Sequence, residues 1–318
     1  KFIVDSLCMW ATEYKIKGFR FDLMALIDTH TMYEVKKALY QVDPDIYIYG
    51  EGWTAGGFHG GYDYENKCDS KPATAKWDSN NVYSQLYKGP SDNECYLGGF
   101  NDKGRDIIRG GNDGGWGSAN HLPGYGFIQQ GADYLGDSSW KDGLEKTIMG
   151  RRADDQGANP CQTVNYVSCH DNWTLRDQLY YTLGNTGAST LDDQRPWGYD
   201  VIHAIEAAEA LVFASNSPAF MLGGEELART KDVDFAKEVD KEKILPNTYE
   251  EMFGHRVSHN SYNSPLEVNS FKWGNKISLA FDTKNGQTDV IDMYAENMTG
   301  KFNYSDYKAI LAGKVSVK

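Results

Sequence analysis

The sequence predicts an α/β fold, namely the later part of a (β/α)8 TIM-type barrel that contains strands four to eight with their helices. Helical and strand-like apolar patterns alternate from the first residue onward, which is typical of parallel α/β folds. Several strand patterns also run directly into polar residues, as the catalytic strands of such barrels do. Because only five strand patterns are found, we expect residues 1–318 to be a catalytic barrel portion that lacks the N-terminal third.

The individual elements follow from the spacing of the apolar residues. Apolar residues at three- and four-residue spacing predict helices at 1–16, 31–41, 102–109, 140–151 and 201–214. Short apolar runs predict strands at 19–24, 46–49, 164–169 and 218–222, with a weaker fifth at 96–100. A weak helical pattern at 289–299 predicts one more helix.

Three long stretches without a regular apolar pattern lie between or after these elements. Residues 50–99 are rich in Gly, Asp, Asn and Tyr, and residues 110–142 are rich in Gly. Because long excursions within a compact domain usually serve a function, we expect both to be active-site loops. Residues 228–272 form a third excursion after the last strand, and its charged tract at 232–243 is expected on the surface.

The composition excludes several classes of partner. The chain has 32 basic and 45 acidic side chains and a formal net charge of −13, without a basic run that would suit a polyanion. Neither nucleic acid nor an anionic membrane surface is therefore expected. No apolar stretch reaches the ~20 residues that span a bilayer, and the five cysteines form no zinc or redox motif. The 21 Tyr and 8 Trp suit a flat, uncharged ligand such as a sugar.

The first candidate site residues lie in the segment Gly-Phe-Arg-Phe-Asp-Leu-Met at 18–24. The strand period of two places Arg20 and Asp22 on the same side. The guanidinium would favour the ionised carboxylate that a nucleophile requires. A buried structural ion pair would give the same pattern, and an isolated Arg-x-Asp has that origin more often than a catalytic one.

The second candidate is Glu51, which follows a predicted strand and has a glycine on each side. Glycine allows the backbone to approach a ligand closely. A glutamate at the C-terminal end of a buried parallel strand lies where barrel enzymes keep catalytic groups. Partial burial would favour its protonated form, which suits a general acid. Trp53 could stack on a sugar ring, although hydrophobic packing explains a single tryptophan equally well.

The third candidate group is His170, Asp171 and Asn172, three successive polar residues at the end of the strand predicted at 164–169. A lone histidine at that position would more often be structural. An aspartate and a histidine together at a strand terminus favour a functional interpretation.

Three parallel strands would bring the carboxylates of Asp22, Glu51 and Asp171 to one end of a barrel. Glycoside hydrolysis with retention requires two carboxyls ~5–5.5 Å apart, one nucleophilic and one protonated. Asp22 and Glu51, on adjacent strands, can meet that requirement. Asp171 could then hydrogen-bond sugar hydroxyls and stabilise the positively charged transition state.

At these positions the sequence resembles the α-amylase superfamily, glycoside hydrolase family 13, and within it the bacterial type I pullulanases. The segment at 18–24 resembles the family's nucleophile segment. Tyr-Gly-Glu-Gly-Trp at 49–53 resembles its acid/base segment, and Tyr-Val-Ser-Cys-His-Asp-Asn at 166–172 resembles its transition-state-stabilising segment. The family's first segment, an Asp-Val-Val-Tyr-Asn-His-like strand, has no counterpart here. Additional domains or chains are therefore expected to complete the barrel.

The resemblance implies that Asp22 is the nucleophile, Glu51 the acid/base and Asp171 the stabiliser. It implies substrate-binding roles for Arg20, Leu23, Met24, Trp53, His170 and Asn172. The reaction would be cleavage of α-1,6-glucosidic branch linkages in pullulan, starch or glycogen-type α-glucans by a retaining double displacement. No cofactor is required, and a structural calcium ion is compatible with the family. An extracellular or cell-surface location is implied, with a cytoplasmic one left open.

Two alternatives stay open on the residues alone. Another α-glucanase, either an isoamylase-like debrancher or a neopullulanase, would carry the same three carboxylates. Gly52 and Trp53 after the acid favour a pullulanase over the isoamylase type. The other alternative is a catalytically inert α-glucan-binding protein on an incomplete barrel, and the presence of all three carboxylates argues against it.

Overall fold

The structure is a computed structural model that divides into two compact units. It describes residues 1–27, 29–52, 97–111, 122–131, 136–152, 160–184, 198–231, 249–252, 255–269, 278–282 and 288–292. The first unit comprises Lys1–Lys103, Glu145–Asn165 and Ser215–Pro218. The second unit comprises Gly104–Leu144, Tyr166–Ala214 and Ala219–Lys318.

The first unit contains a four-stranded sheet in which neighbouring strands in the chain are neighbours in space. The strands are β1 (Gly18–Phe21), β2 (Tyr47–Gly50), β3 (Gly98–Phe100) and β4 (Thr163–Val164). Every pair is parallel, so the carboxyl ends of all four strands lie at one edge of the sheet. The predicted parallel α/β construction is confirmed for these strands, while closure into part of a barrel stays a prediction.

Two helices pack together beside β1 and β2. Helix α1 (Phe2–Tyr14) precedes β1, and helix α2 (Thr29–Val42) connects β1 to β2. Helix α2 buries Met32, Val35 and Leu39, whose spacing places them on one helical face. These side chains join Ile46 and Ile48 in one apolar core. Each such burial stabilises the fold by roughly 1.5–3 kcal/mol, and this core supports β1, which carries Arg20, and β2, which leads into Glu51.

The second unit is mainly helical. Besides most of α3 (Asp102–Arg109) and the beginning of α5 (Ser138–Ile148), it contains α4 (Phe127–Gln130), α6 (Leu175–Gly184), α7 (Gly198–Ala214) and α8 (Leu266–Asn269). Two antiparallel hairpins follow in the chain, β5 (Tyr249–Met252) with β6 (His255–Ser258) and β7 (Ser278–Asp282) with β8 (Thr288–Asp292).

Three predicted strands are shorter in the structure than in the sequence pattern. The strand predicted at 19–24 ends at Phe21, because Leu23 adopts a left-handed φ of 42° and a short 3-10 turn follows. The strand predicted at 164–169 ends at Val164, and the buried residues after it form no ladder. The strand predicted at 218–222 is reduced to a single bridge at Ala219.

The helix predicted at 289–299 is wrong over its described part. Residues 288–292 pair with Ser278–Asp282 as an antiparallel strand. The pairing satisfies backbone groups that an isolated short helix would leave unpaired. By contrast, the helix predicted at 102–109 is confirmed, and the one predicted at 201–214 begins three residues earlier.

The structure describes only part of the predicted long loops. Residues 53–96, 112–121 and 132–135 lie outside the described residues, and so does the charged tract at 232–243. Within the described part of 110–142 the chain forms α4 and the first turn of α5. Within 228–272 it forms the β5–β6 hairpin and α8. Among the described helices, none combines the length and the apolar character needed to cross a bilayer.

Candidate active site

Glu51 occupies the position immediately after β2. Phe21, the last residue of β1, pairs with Gly50, and its carbonyl accepts a hydrogen bond from the Glu51 N–H at 2.9 Å. A Cβ on Gly50 would lie 2.6 Å from the sulfur of Met24 and 3.0 Å from the Phe21 oxygen. The glycine before the acid is therefore required by close packing between the ends of two adjacent strands.

Arg20 lies between two carboxylates. Its Nη1 donates a hydrogen bond to Asp22 Oδ1, and its Nη2 lies 3.7 Å from Glu51 Oε2. The guanidinium carbon is also 5.6 Å from the centroid of the Phe100 ring, a distance typical of a cation–π contact. The contact predicted between Arg20 and Asp22 is thus present, although β1 ends before Asp22. One guanidinium joins the ends of β1 and β2.

The two carboxylates differ in their surroundings. The Asp22 side chain is 62% exposed, whereas the Glu51 side chain is 19% exposed. Glu51 Oε2 also accepts a hydrogen bond from the Leu23 N–H at 3.2 Å, which fixes one oxygen of the sheltered acid. An open carboxylate beside a sheltered one is the asymmetry that a nucleophile and a general acid require.

Leu23 and Met24 support this arrangement through the backbone and the core. The left-handed conformation of Leu23 turns its N–H toward Glu51. Met24 is buried and belongs to the apolar core of the first unit. Their contacts with a substrate stay a prediction. Trp53 lies outside the described residues.

His170, Asp171 and Asn172 lie on a loop of the second unit, between β4 and α6. His170 Nε2 is 3.6 Å from Asp171 Oδ2, and the Asp171 side chain is 42% exposed. Asn172 has a φ of 59°, a left-handed conformation that asparagine tolerates better than most residues. The structure therefore brings Asp22 and Glu51 together around Arg20. The convergence of Asp171 with that pair stays a prediction.

Two buried cations bind the backbone of this loop. Lys231 Nζ donates hydrogen bonds to the carbonyls of His170, at 2.5 Å, and Asn172, at 2.9 Å. Arg109 Nη1 donates to the carbonyl of Trp173 at 2.9 Å. Burial lowers the pKa of Lys231 to about 8 and that of Arg109 to about 10. Both side chains therefore remain largely protonated at neutral pH, and their donors face main-chain oxygens.

Asp177 is the buried anion that accompanies these cations. Its Oδ1 accepts hydrogen bonds from Thr230 Oγ1 at 2.6 Å and from Arg176 Nη1 at 2.9 Å. Its Oδ2 accepts a hydrogen bond from the backbone N–H of Lys231 at 2.9 Å. Asp177 thus ties the start of α6 to the segment that carries Lys231, and it supplies charge compensation that buried cations require.

A pair of buried glutamates adds a second polar group to this unit. Glu225 Oε1 accepts a hydrogen bond from Ser168 Oγ, and Glu225 Oε2 accepts one from the Leu222 N–H at 3.1 Å. Burial raises the pKa of Glu225 to about 7 and, aided by the charge of Glu225, that of Glu209 to about 8. At neutral pH Glu209 is mainly protonated, so it avoids the cost of a buried, unpaired charge.

These buried groups were not predicted as site residues from the sequence. Other charged residues lie close in the sequence to Lys231, Asp177 and Glu209, and such stretches are usually expected on the solvent-exposed surface. One sequence signal could have pointed to Asp177, because Thr174 and Asp177 have the Ser/Thr-x-x-acid spacing of a helix start. In the structure, Thr174 Oγ1 accepts a hydrogen bond from the Asp177 N–H at 3.1 Å. Among the described residues, no group of three or more His, Cys, Asp or Glu side chains could hold a metal ion.

Comparisons with known proteins relate the chain to one group of enzymes. No family model matches the chain. The pullulanase of Klebsiella aerogenes is 30% identical over an alignment of 264 positions, which covers 73% of this chain and 21% of that protein. The pullulanase of Bacillus subtilis is 26% identical over 239 residues, 73% of this chain and 27% of that protein.

Solved structures give the same relationship. A pullulanase from Bacillus acidopullulyticus is 30% identical with a TM-score of 0.54, over 86% of this chain and 25% of that one. A pullulanase from Anoxybacillus sp. LM18-11, in complex with maltotetraose, is 27% identical with a TM-score of 0.57, over 98% of this chain and 32% of that one. The chain thus spans about a quarter of the length of the curated relatives it matches. Sequence and fold together make this chain a relative of the pullulanases, with a similarity that extends over part of their length.

Proposed function

We propose that this protein is a glycoside hydrolase that cleaves α-1,6-glucosidic branch linkages in pullulan, starch or glycogen-type α-glucans. The observation that carries this proposal is the Arg20 guanidinium between an exposed Asp22 and a sheltered Glu51, at the ends of adjacent parallel strands. The similarity to pullulanases supports the choice of an α-glucan as substrate.

The proposed reaction is a double displacement at the anomeric carbon. Asp22 attacks this carbon, while Glu51 donates its proton to the glucosidic oxygen, and the C–O bond breaks to release the leaving chain. Glu51, now ionised, takes a proton from water, whose oxygen attacks the anomeric carbon and releases Asp22. Both carboxyls return to their starting protonation states, and the α-configuration is retained.

Arg20 and the loop of the second unit have distinct proposed roles. Arg20 keeps the ionised nucleophile oriented through a charge-assisted hydrogen bond. Asp171 and His170 bind sugar hydroxyls, and the Asp171 charge stabilises the oxocarbenium-like transition state. The mechanism requires no cofactor, and any calcium ion would be structural.

The substrate class is an α-glucan chain. One related pullulanase structure contains maltotetraose, an α-linked glucose oligomer of the kind that the proposed cleft would accept. Further domains or chains that complete the barrel are part of this proposal. An extracellular or cell-surface location also fits it, because polymeric glucans do not cross membranes.

The decisive assay uses pullulan as substrate. We expect the protein to release maltotriose from pullulan. When the reaction is followed by NMR, the α-anomer of the product should form first. Asp22→Asn should lower kcat by roughly 10⁴-fold, while Asp5→Asn, which alters an exposed carboxyl on α1, should leave it unchanged. Debranching of glycogen without attack on pullulan would instead indicate an isoamylase-like enzyme. Binding of glucan without hydrolysis would indicate an inert binding protein, and full activity of Asp22→Asn would refute every hydrolase interpretation.

A further inference from the structure

Lys231 contacts the backbone on both sides of Asp171. Its ammonium group donates to the carbonyls of His170 and Asn172, the residues immediately before and after Asp171. The three residues come from a loop that lies about 60 residues earlier in the chain, so this contact is made only in the folded second unit. A single side chain thereby binds the peptide group that precedes Asp171 and the peptide group that follows Asn172.

The burial of Lys231 costs free energy, so its contacts are expected to compensate for that cost. The residue is 1% exposed, and lysine is rarely fully buried unless its charge is compensated. An ammonium group has three donors, and two of them are used on this loop. The backbone N–H of Lys231 is held by Asp177 Oδ2 at 2.9 Å, so the lysine is anchored at its main chain as well as at its amine.

The conformation of the loop agrees with this role. Asn172 adopts a left-handed φ of 59°, which turns the chain so that carbonyls on either side of Asp171 reach one amine. The next carbonyl, from Trp173, is bound by the buried Arg109. Three of the four main-chain carbonyls from His170 to Trp173 therefore accept hydrogen bonds from buried cations, while the Asp171 side chain stays 42% exposed.

We propose that Lys231 is a positioning residue that holds the Asp171 carboxylate in its reactive orientation by binding the carbonyls on both sides of it. The inference rests on the proposed function, in which Asp171 stabilises the transition state. A stabilising charge is effective only when it is oriented before the reaction, and a displacement of about 1 Å can cost ~10²-fold in rate. Lys231 itself touches no reacting atom.

The first test compares Lys231→Gln and Lys231→Met with the unaltered protein on pullulan. We expect kcat to fall by ~10²-fold and KM to change by less than about tenfold, because the Asp171 charge acts mainly on the positively charged transition state, whereas its hydrogen bonds to sugar hydroxyls are only part of substrate binding. Val201→Ala is the matched control, since it opens a buried apolar site in α7 of the same unit and should lower stability without lowering kcat. If the unaltered protein is active and Lys231→Gln keeps its full kcat, the role of Lys231 is refuted while the proposed function stands. If the unaltered protein has no activity on pullulan, the proposed function and the role of Lys231 are both refuted.

A double-mutant cycle separates positioning from general structural support. In an Asp171→Asn background, Lys231→Gln should lower kcat by less than about twofold, because the group through which it acts is already gone. Additive losses would overturn the proposal. If neither Lys231→Gln nor Lys231→Met folds, the cycle is run with Lys231→Arg, which keeps the charge but replaces the compact ammonium group by a larger planar guanidinium whose donors have a different geometry. An unchanged kcat in Lys231→Arg, or additivity with Asp171→Asn, then overturns the inference.

Discussion

The first and the second unit hold their candidate carboxylates in different ways. At the ends of β1 and β2, the side chains contact one another directly, with Arg20 between Asp22 and Glu51. On the loop before α6, buried Lys231 binds the main chain around Asp171, and the Asp171 side chain contacts His170 at 3.6 Å. A carboxylate can thus be oriented either through its own oxygens or through the main chain around it.

The two arrangements differ in how far their charged groups are buried and in what stabilises those groups. An exposed ion pair contributes little stability by itself, so the Arg20 group depends on the strands and on Phe100 for its order. A buried cation needs hydrogen-bond acceptors and charge compensation, and the second unit supplies main-chain carbonyls to Lys231 and the nearby Asp177 carboxylate. Activity should therefore be more sensitive to charge at the first group, and stability more sensitive to charge and pH in the second unit.

The largest effect is expected from Arg20→Met. Loss of the guanidinium removes the hydrogen bond to Asp22 and leaves the Asp22 and Glu51 carboxylates without the cation between them. We expect kcat on pullulan to fall by ~10³-fold, as for loss of one strong donor in an active site. Arg20→Lys should recover part of this loss, because it restores charge without the two-donor geometry. A kcat within tenfold of the unaltered value for Arg20→Met would show that the first group does not depend on its shared cation.

A smaller effect is expected from pH on the stability of the second unit. The pKa of Glu209 is raised to about 8 and that of Glu225 to about 7, from an ordinary value of 4.5. Because the folded unit binds these protons more tightly than the unfolded chain, their stabilising contribution is present below pH ~4.5 and is lost as pH rises through 7 and 8. Urea unfolding should give a free energy lower by on the order of 3 kcal/mol at pH 8 than at pH 5.

Glu209→Gln tests the origin of this pH dependence. The neutral amide should reduce the fall in unfolding free energy by about half, whereas Glu206→Gln, which alters an exposed residue of the same helix, should preserve most of it. An unaltered pH dependence in Glu209→Gln would show that other groups control the stability of the second unit.

The smallest effect is expected from Gly50→Ala. The added Cβ would lie 2.6 Å from Met24 Sδ and 3.0 Å from the Phe21 oxygen, which should lower the free energy of unfolding by about 1–3 kcal/mol. Gly136→Ala is the control, because nothing lies within 4 Å of the added atom there. Equal stability of the two variants would mean that the close approach of β1 and β2 does not constrain Glu51.

Much of the first unit could be predicted from local patterns. Helix α2 was predicted because Met32, Val35 and Leu39 repeat on one face, and β2 because an apolar run ends at a glycine. Helix α6 was missed, because it is buried on nearly all sides and its buried residues include Arg176, Asp177 and Gln178, so its polar residues do not mark an exposed face that would make helical periodicity visible. The strand predicted at 164–169 was too long for the related reason that a buried apolar run does not reveal whether it forms ladder hydrogen bonds.

The amino-acid sequence by itself determined which residues are chemically able to act. Asp22, Glu51 and Asp171 stand in short local motifs, and strand periodicity and glycine chemistry are properties of neighbouring residues. The tertiary structure alone decided how these groups are held. Lys231 reaches His170 and Asn172, and Glu225 reaches Ser168, across more than 50 positions of chain. Such contacts exist because burial makes every unpaired polar group costly, and only the folded chain determines which distant partner satisfies it.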